Sequence, residues 1–259
     1  MSYVEELFAL KGKTAVAIGG GGVLAGKMAE GLARAGADIA ILDLNPDNAQ
    51  KQADECRKAG VKTLAVKVDA SSKEELRAAA DTILAKLGRV DILINAPGIN
   101  SSTPFLDIEE EEYDKIMRVN LKSIFLACQI FGKIMIDQGE GGSIINISSA
   151  SSAPPLSKVF TYSITKAGVN NLTQNLAREW APFKVRVNAL APGFFPAEQN
   201  RKILTPERTA DIMRHTPMAR FGDAEELVGA VIWMSSPKAA SFVTGAIIRV
   251  DGGFTAMTI

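Results

Sequence analysis

The feature of this sequence that most restricts its fold is a regular alternation of short, apolar, β-branched runs with longer amphipathic ones. Thr14–Ile18, Ile39–Leu42, Val61–Val68, Val90–Ile94, Ser143–Ser148, Val185–Leu190 and Ala246–Val250 read as strands. Between them, Val23–Ala35, Asn45–Gly60, Ser71–Leu87, Glu110–Gln138, Tyr162–Trp180 and Glu225–Ser235 read as helices. Asn45-Pro46 and a Ser71-x-x-Glu74 capping box mark starts, and Gly36 and Gly60 mark stops. Strands joined by helical crossovers form right-handed βαβ units, hence a parallel sheet covered on both faces. The expected fold is therefore α/β: a single doubly wound, Rossmann-like domain of about seven parallel strands with helices on both faces. No repeat, linker or compositional shift divides the chain, so 1–259 is read as one domain. Such sheets bind ligands beyond the carboxyl ends of their strands.

Composition narrows the partner. Lys+Arg and Asp+Glu are both 29, so no net field draws the chain to nucleic acid or to an anionic membrane. A small-molecule substrate is expected instead. Two cysteines (Cys56, Cys128) and one histidine (His215) show no metal-ligand spacing, which predicts reduced thiols and no metal. The first residues, MSYVEELFALKGK, lack a basic and then apolar leader, and no uninterrupted apolar run nears roughly 18 residues. A cytoplasmic location is expected.

The first βα turn is Gly19-Gly20-Gly21-Gly22-Val23-Leu24-Ala25-Gly26. Glycines there let backbone approach a pyrophosphate, whose charge suits the N-terminus of the next helix. Alone, the turn reads equally as a flexible loop. Asp43 closes the second strand, 24 residues after Gly19, where a carboxylate accepts from adenosine ribose hydroxyls and repels a 2′-phosphate. With no Lys or Arg beside it, NAD is favoured over NADP; the alternative is an Asp that only shapes the turn before Asn45-Pro46.

A second constellation carries chemistry. Tyr162 and Lys166 are four apart and share one helix face, and Ser149 follows a strand 13 residues before Tyr162. A phenol has an ordinary pKa of about 10, and an ammonium one turn away, with a nicotinamide's positive charge nearby, favours its anion, making Tyr162 an acid or base at a carbonyl oxygen. Ser149 would donate a hydrogen bond as charge develops on that oxygen. With Asn120 in Val119-Asn120-Leu121, Asn95-Ala96-Pro97-Gly98, Pro192-Gly193 and Val250-Asp251-Gly252-Gly253, these residues resemble the short-chain dehydrogenase/reductase family over essentially the whole chain.

The resemblance implies a reversible, NAD(H)-dependent oxidoreductase with Asn120, Ser149, Tyr162 and Lys166 as its catalytic set. Lys166 would hold the nicotinamide ribose, and Asn120 would anchor a water joining Lys166 to solvent. The residues it assigns to the cofactor begin with Gly19, Gly21, Gly22, Val23 and Leu24 in the first turn, then Asp43 with Leu44, and Asp69 with Ala70. They continue with Asn95, Ala96 and Pro97, with Tyr162 and Lys166, and with Pro192, Gly193 and Phe195. Asp69 reads equally as a cap before Ser71, and Asn95 as a stabiliser of the central sheet. The chain departs from the family pattern at Ile18, Val23, Ala25, Pro97 and Ala197, so cofactor contacts there are expected to differ.

A lid over about 194–217, polar at Gln199-Asn200-Arg201-Lys202, and the patch Asn100-Ser101-Ser102-Thr103 suit a hydroxylated, anionic substrate; a solvated lid is the alternative. The Gly19–Leu24 turn, Phe194-Phe195 with Glu198-Gln199-Asn200-Arg201, and His215-Thr216-Pro217-Met218 resemble the fructuronate reductase (D-mannonate oxidoreductase) branch. That resemblance implies D-fructuronate and D-mannonate as substrates, met by Asn100, Ser149, Tyr162, Gln199, Asn200 and Arg201. Other ketose or gluconate-type polyol dehydrogenases, a 3-oxoacyl-carrier-protein reductase, and a non-catalytic dinucleotide sensor stay open. Relatives of this kind are commonly tetramers, so a homo-oligomer, tetramer or dimer, is expected.

Overall fold

The computed structural model describes residues 2–196 and 205–257, so the readings for Ala197, Gln199, Asn200, Arg201 and Lys202 lie outside the described residues. Seven strands form one all-parallel sheet: β1 (Thr14–Ile18), β2 (Asp38–Asp43), β3 (Thr63–Lys67), β4 (Ile92–Asn95), β5 (Gly142–Ile147), β6 (Val185–Pro192) and β7 (Ile247–Val250). Their order is β3-β2-β1-β4-β5-β6-β7. The winding reverses between β1 and β4, whose ends meet at Ile18 and Asn95, and this opens the crevice where such sheets take ligands.

The central strands are buried on both faces, which is why they read as continuous apolar runs rather than alternating ones. Period two still divides them. Ala15, Ala17, Ile39 and Ile41 enter one core with α2 (Val23–Arg34), α3 (Pro46–Arg57) and α9 (Val228–Ser235). Val16, Ile18, Ala40 and Leu42 enter the other with α4 (Lys73–Leu87), α6 (Ser123–Gln138) and α7 (Phe160–Trp180). Each large aliphatic chain so buried contributes about 1.5–3 kcal/mol. Small residues set the helix spacing: a Cβ on Gly31 of α2 would lie 2.4 Å from Val228 Cγ1, so α9 packs directly on the α2 backbone.

The remaining helices among the described residues are α1 (Tyr3–Phe8), capped by Ser2 and Glu5, α5 (Glu110–Met117) and α8 (Pro206–Arg214). Two boundaries differ from the sequence reading. The N-cap of α4 is Ser72, accepting from Glu75 N–H, and not Ser71; Ser71 is bound to Asp69 instead. Likewise the segment read as a helix from Glu225 begins as a 3-10 turn, Ala224–Leu227, closed by an Asp223–Glu226 capping box.

The 110–138 helix is continuous but contains a π turn, Arg118–Lys122. By length and composition it could cross a membrane, yet more than half of its apolar stretch is buried inside the protein. At the amino end of the sheet Asp91 gathers Lys13 Nζ (3.0 Å), Arg89 Nε (2.7 Å) and the Thr14 N–H (3.0 Å), fastening β1 to β4. Arg89 also reaches Glu140 at 2.6 Å.

Candidate active site

The carboxyl end of β1 feeds the glycine turn, and geometry explains its composition. Gly19 has φ +70° and lies against Ala96; a Cβ on Gly20 would sit 2.7 Å from the Ala17 carbonyl. A Cβ on Gly21 would lie 2.7 Å from Asn48 Cβ and 2.9 Å from Asp43 Oδ2. The turn is therefore folded against the chain itself and is not a loose loop. Helix α2 starts at Gly22 with no side-chain cap, so its first-turn N–H groups are left for an anion.

Asp43 stands at the end of β2, accepting from Gly21 N–H (3.0 Å) through Oδ2 and from Asn45 N–H (2.9 Å) through Oδ1. It thus shapes the turn, as one reading held, while placing a carboxylate beside the glycines. Val23 and Leu44 flank this corner as exposed apolar side chains, whereas Leu24 packs on the core. Such uncapped amides, a close backbone and a strand-end carboxylate fit a dinucleotide.

Past β3, Asp69 accepts from Ser71 N–H (2.8 Å) and Oγ (2.7 Å), and these bonds hold its carboxyl below the usual range; Ala70 packs against the second core. At the end of β4, Asn95 is fully buried and donates to Asn146 Oδ1 (2.8 Å), and Asn146 Nδ2 donates to Thr173 Oγ1 (3.0 Å). Asn95 is thereby a tie between β4, β5 and α7. Ala96 and Pro97 border Gly19 at the switch point. Pro192 and Gly193 end β6, with Gly193 N–H donating to the Val250 carbonyl (2.9 Å), and Phe195 packs over Gly222.

The reactive cluster lies beyond β5. Ser149 caps the 3-10 turn Ala150–Ser152; its Oγ accepts from Ser151 N–H and from Ser151 Oγ, both at 3.1 Å. With its lone pairs engaged, its proton is free to be donated, and its hydroxyl works to lower the Tyr162 phenol. Lys166 is 3% exposed; Nζ donates to the Ile147 carbonyl at 2.7 Å and lies 5.4 Å from the centroid of the Tyr162 ring. Ser148, on the neighbouring position, turns to the Lys166 carbonyl (3.3 Å).

The expectation paired Lys166 with the charge of a nicotinamide, and the ammonium alone does not lower the phenol. Burial pushes the Tyr162 phenol up, and the opposing pull comes from Ser149. The lysine itself is driven down to about 8 by burial, its head donating to a carbonyl and lying over the ring.

Asn120 lies on the π turn, fully buried. Its Oδ1 accepts from Ile99 N–H and its Nδ2 donates to the Ile99 carbonyl, both 2.8 Å, so the side chain pins the segment after β4. A Cβ on Gly98 would lie 3.8 Å from Asn120 Oδ1 and 3.9 Å from Lys166 Nζ, which brings both groups close to one glycine. Asn100 is exposed and binds Ser101 N–H; Thr103 is held by Glu112 at 2.7 Å. His215 Nδ1 pairs with the Asp211 carbonyl at 2.9 Å, a local role. Cys56 and Cys128 are free and buried, their thiols pushed up to about 11 and about 12 by burial. Among the described residues no cluster could hold a metal.

Sequence reasoning missed the π turn and Thr165, which donates to the Tyr162 carbonyl (2.6 Å) and receives a long bond (3.4 Å) from Asn120 Nδ2. Neither leaves a mark in hydrophobic periodicity.

Residues 22–255 match the family model described as enoyl-(acyl carrier protein) reductase. An uncharacterised oxidoreductase of Bacillus subtilis (strain 168) is 38% identical over 268 residues, covering 95% of this chain and 96% of that protein. The 2-dehydro-3-deoxy-D-gluconate 5-dehydrogenase of Formosa agariphila is 36% identical, covering 97% and 96%. Among solved structures, a gluconate 5-dehydrogenase from Burkholderia cenocepacia J2315 with NADP and tartrate superposes with a TM-score of 0.93 at 35% identity, covering 99% and 100% of the two chains. A proposed D-mannonate oxidoreductase from Haemophilus influenza with bound NAD gives 0.92 at 33%, covering 98% and 99%.

Proposed function

Since the chain belongs to the short-chain dehydrogenase/reductase family, we propose that it interconverts a keto sugar acid and its hydroxy acid with NAD(H), D-fructuronate and D-mannonate being the favoured pair. It is an oxidoreductase using a nicotinamide dinucleotide, and its relatives act on sugar acids. The observation that carries the reading is the meeting of Ser149, Tyr162, Lys166 and Asn120 at the carboxyl end of β5, beside the glycine turn.

The nicotinamide, when bound, supplies or takes up the hydride. Gly19, Gly21, Gly22, Val23 and Leu24 would meet its phosphates, Asp43 with Leu44 the adenosine ribose, and Asp69, Ala70, Asn95, Ala96 and Pro97 the adenine side and the crevice floor. Pro192, Gly193 and Phe195 would border the nicotinamide. Tyr162 gives its phenol proton to the substrate oxygen on reduction and accepts it on oxidation. Ser149, whose hydroxyl proton is left free by its bonds from Ser151, donates to the same oxygen as negative charge grows there. Lys166, held by Ile147, presents a cation beneath the ring, and it completes its effect on the phenol together with the charge of the oxidised cofactor. Asn100, Gln199, Asn200 and Arg201 are assigned to the substrate.

Asp43 supports NAD, because a carboxylate repels a 2′-phosphate. Relatives bind both cofactors: one structure carries NADP and another NAD. Self-association into a dimer or tetramer is assigned to the 110–138 helix and α7, whose shared groove exposes Phe125 between Leu121 and Leu172.

The test is direct. Oxidation of NADH and of NADPH is followed with D-fructuronate, D-tagaturonate, 5-keto-D-gluconate and acetoacetyl esters. Fastest turnover is expected with NADH and fructuronate; preference for NADPH or for the acyl ester overturns the corresponding half of the reading.

A further inference from the structure

Resting on the keto sugar acid reading, we infer that Arg208, on the lid helix α8, receives the substrate carboxylate, with Lys158 as the second cation of the same mouth.

Among the described residues three arginines lie on or next to this helix, and their partners separate them. Arg214 is paired with Asp211, and Arg220 with Glu226 by two hydrogen bonds of 2.7 and 2.6 Å. Arg208 has no acidic partner among the described residues. Its Nη1 instead donates to Ser157 Oγ at 2.9 Å and its Nη2 to the Ser157 carbonyl at 3.5 Å. Both nitrogens of the guanidinium edge therefore face one residue, as they would face the two oxygens of a carboxylate. The acceptors are neutral and one bond is long, so a carboxylate makes the stronger fork in their place.

The place is as telling as the partners. Ser157 precedes Phe160, the first residue of α7, and Tyr162 follows in the same turn. Arg208 thus spans from the lid to the segment that delivers the proton donor. Lys158, next in sequence, is held at φ +66°, a conformation unusual for a residue with a side chain, and no acid pairs with it among the described residues. At the start of α7, Phe160 meets Phe105 with ring centroids 5.3 Å apart and planes tilted by 58°, an apolar contact next in the chain to the Ser157-Lys158 segment. A keto sugar acid carries its charge several bonds from its ketone. With the ketone at Tyr162 and Ser149, its charged end points out of the site, and the cationic mouth built on this segment is where such an end is met.

The experiment compares wild type, Arg208→Gln, Ser157→Ala and Arg201→Gln, each with a keto sugar acid and with a neutral ketose. Arg208→Gln is expected to raise KM for the acid by about 10- to 100-fold, with kcat and NADH affinity nearly unchanged. KM for the ketose should stay put, and Ser157→Ala should leave KM for the acid equal or lower. If Ser157→Ala reproduces the loss, Arg208 is a structural latch and the inference falls. It falls equally if Arg201→Gln alone carries the effect. A wild type that reduces only neutral ketones overturns both this inference and the substrate reading. Turnover of the acid with an unchanged KM in Arg208→Gln overturns the inference alone.

Discussion

Two buried charges sit at opposite ends of the same parallel sheet and are treated in opposite ways. Asp91, before β4 at the amino end, is 5% exposed and surrounded by two cations and a backbone N–H. Burial works to raise its carboxyl, but hydrogen bonds from Arg89, Thr14 and Lys13 outweigh it and hold the group below the usual range. Lys166, near the carboxyl end, is equally hidden, yet its ammonium has one carbonyl and an aromatic face. Burial wins there. One site spends its neighbours on keeping a charge content, and the other leaves a charge uneasy where a proton must move.

The contrast can be broken by removing each charge in turn. Lys166→Met should lower kcat/KM by about 10²- to 10⁴-fold, the range for losing a positioned acid–base partner, while circular dichroism shows a native fold. Asp91→Ala should do the reverse, lowering stability by about 3–5 kcal/mol in a denaturant titration because Arg89 and Lys13 lose their shared acid, with substrate KM unchanged in the folded protein. Equal effects of the two variants on kcat/KM would erase the distinction.

A smaller effect sharpens the comparison through pH. In the folded chain Lys166 loses its proton near 8, and in the unfolded chain near 10.5. Between these values the unfolded state binds more protons, so this residue's contribution to stability rises with pH. Below about 8 the burial cost is fully present. The stability of wild type relative to Lys166→Met should therefore climb by on the order of 1–3 kcal/mol from pH 8 to 10.5, read from denaturation midpoints at each pH. A flat difference would mean that Ile147 already offsets the burial.

Much of this was legible in the chain because the same residues serve periodicity and chemistry. Ala15, Ala17, Val16 and Ile18 announce a doubly covered strand by being apolar at every position, and the glycines after them announce a turn. Tyr162 and Lys166 announce themselves by spacing. What stayed hidden depends on rotamers and neighbours far away in sequence. The two oxygens of Asp43 are divided between Gly21 and Asn45, a fact no spacing reveals. The Ser71 cap failed because two adjacent serines competed and Asp69 took the first. The direction in which the protein alone moves the phenol stayed hidden because spacing shows a cation's sequence distance and not what burial does to both groups.

The π turn at Arg118–Lys122 carries a lesson for anyone redesigning this helix. Excising one residue there to restore ordinary α geometry would rotate everything on its amino side by about 100°. Phe131 and Met135 would keep their places in the core, but Ile116 would swing off it, and Asn120 would lose its double grip on Ile99. The irregularity is the hinge pin that lets one rod serve two faces at once.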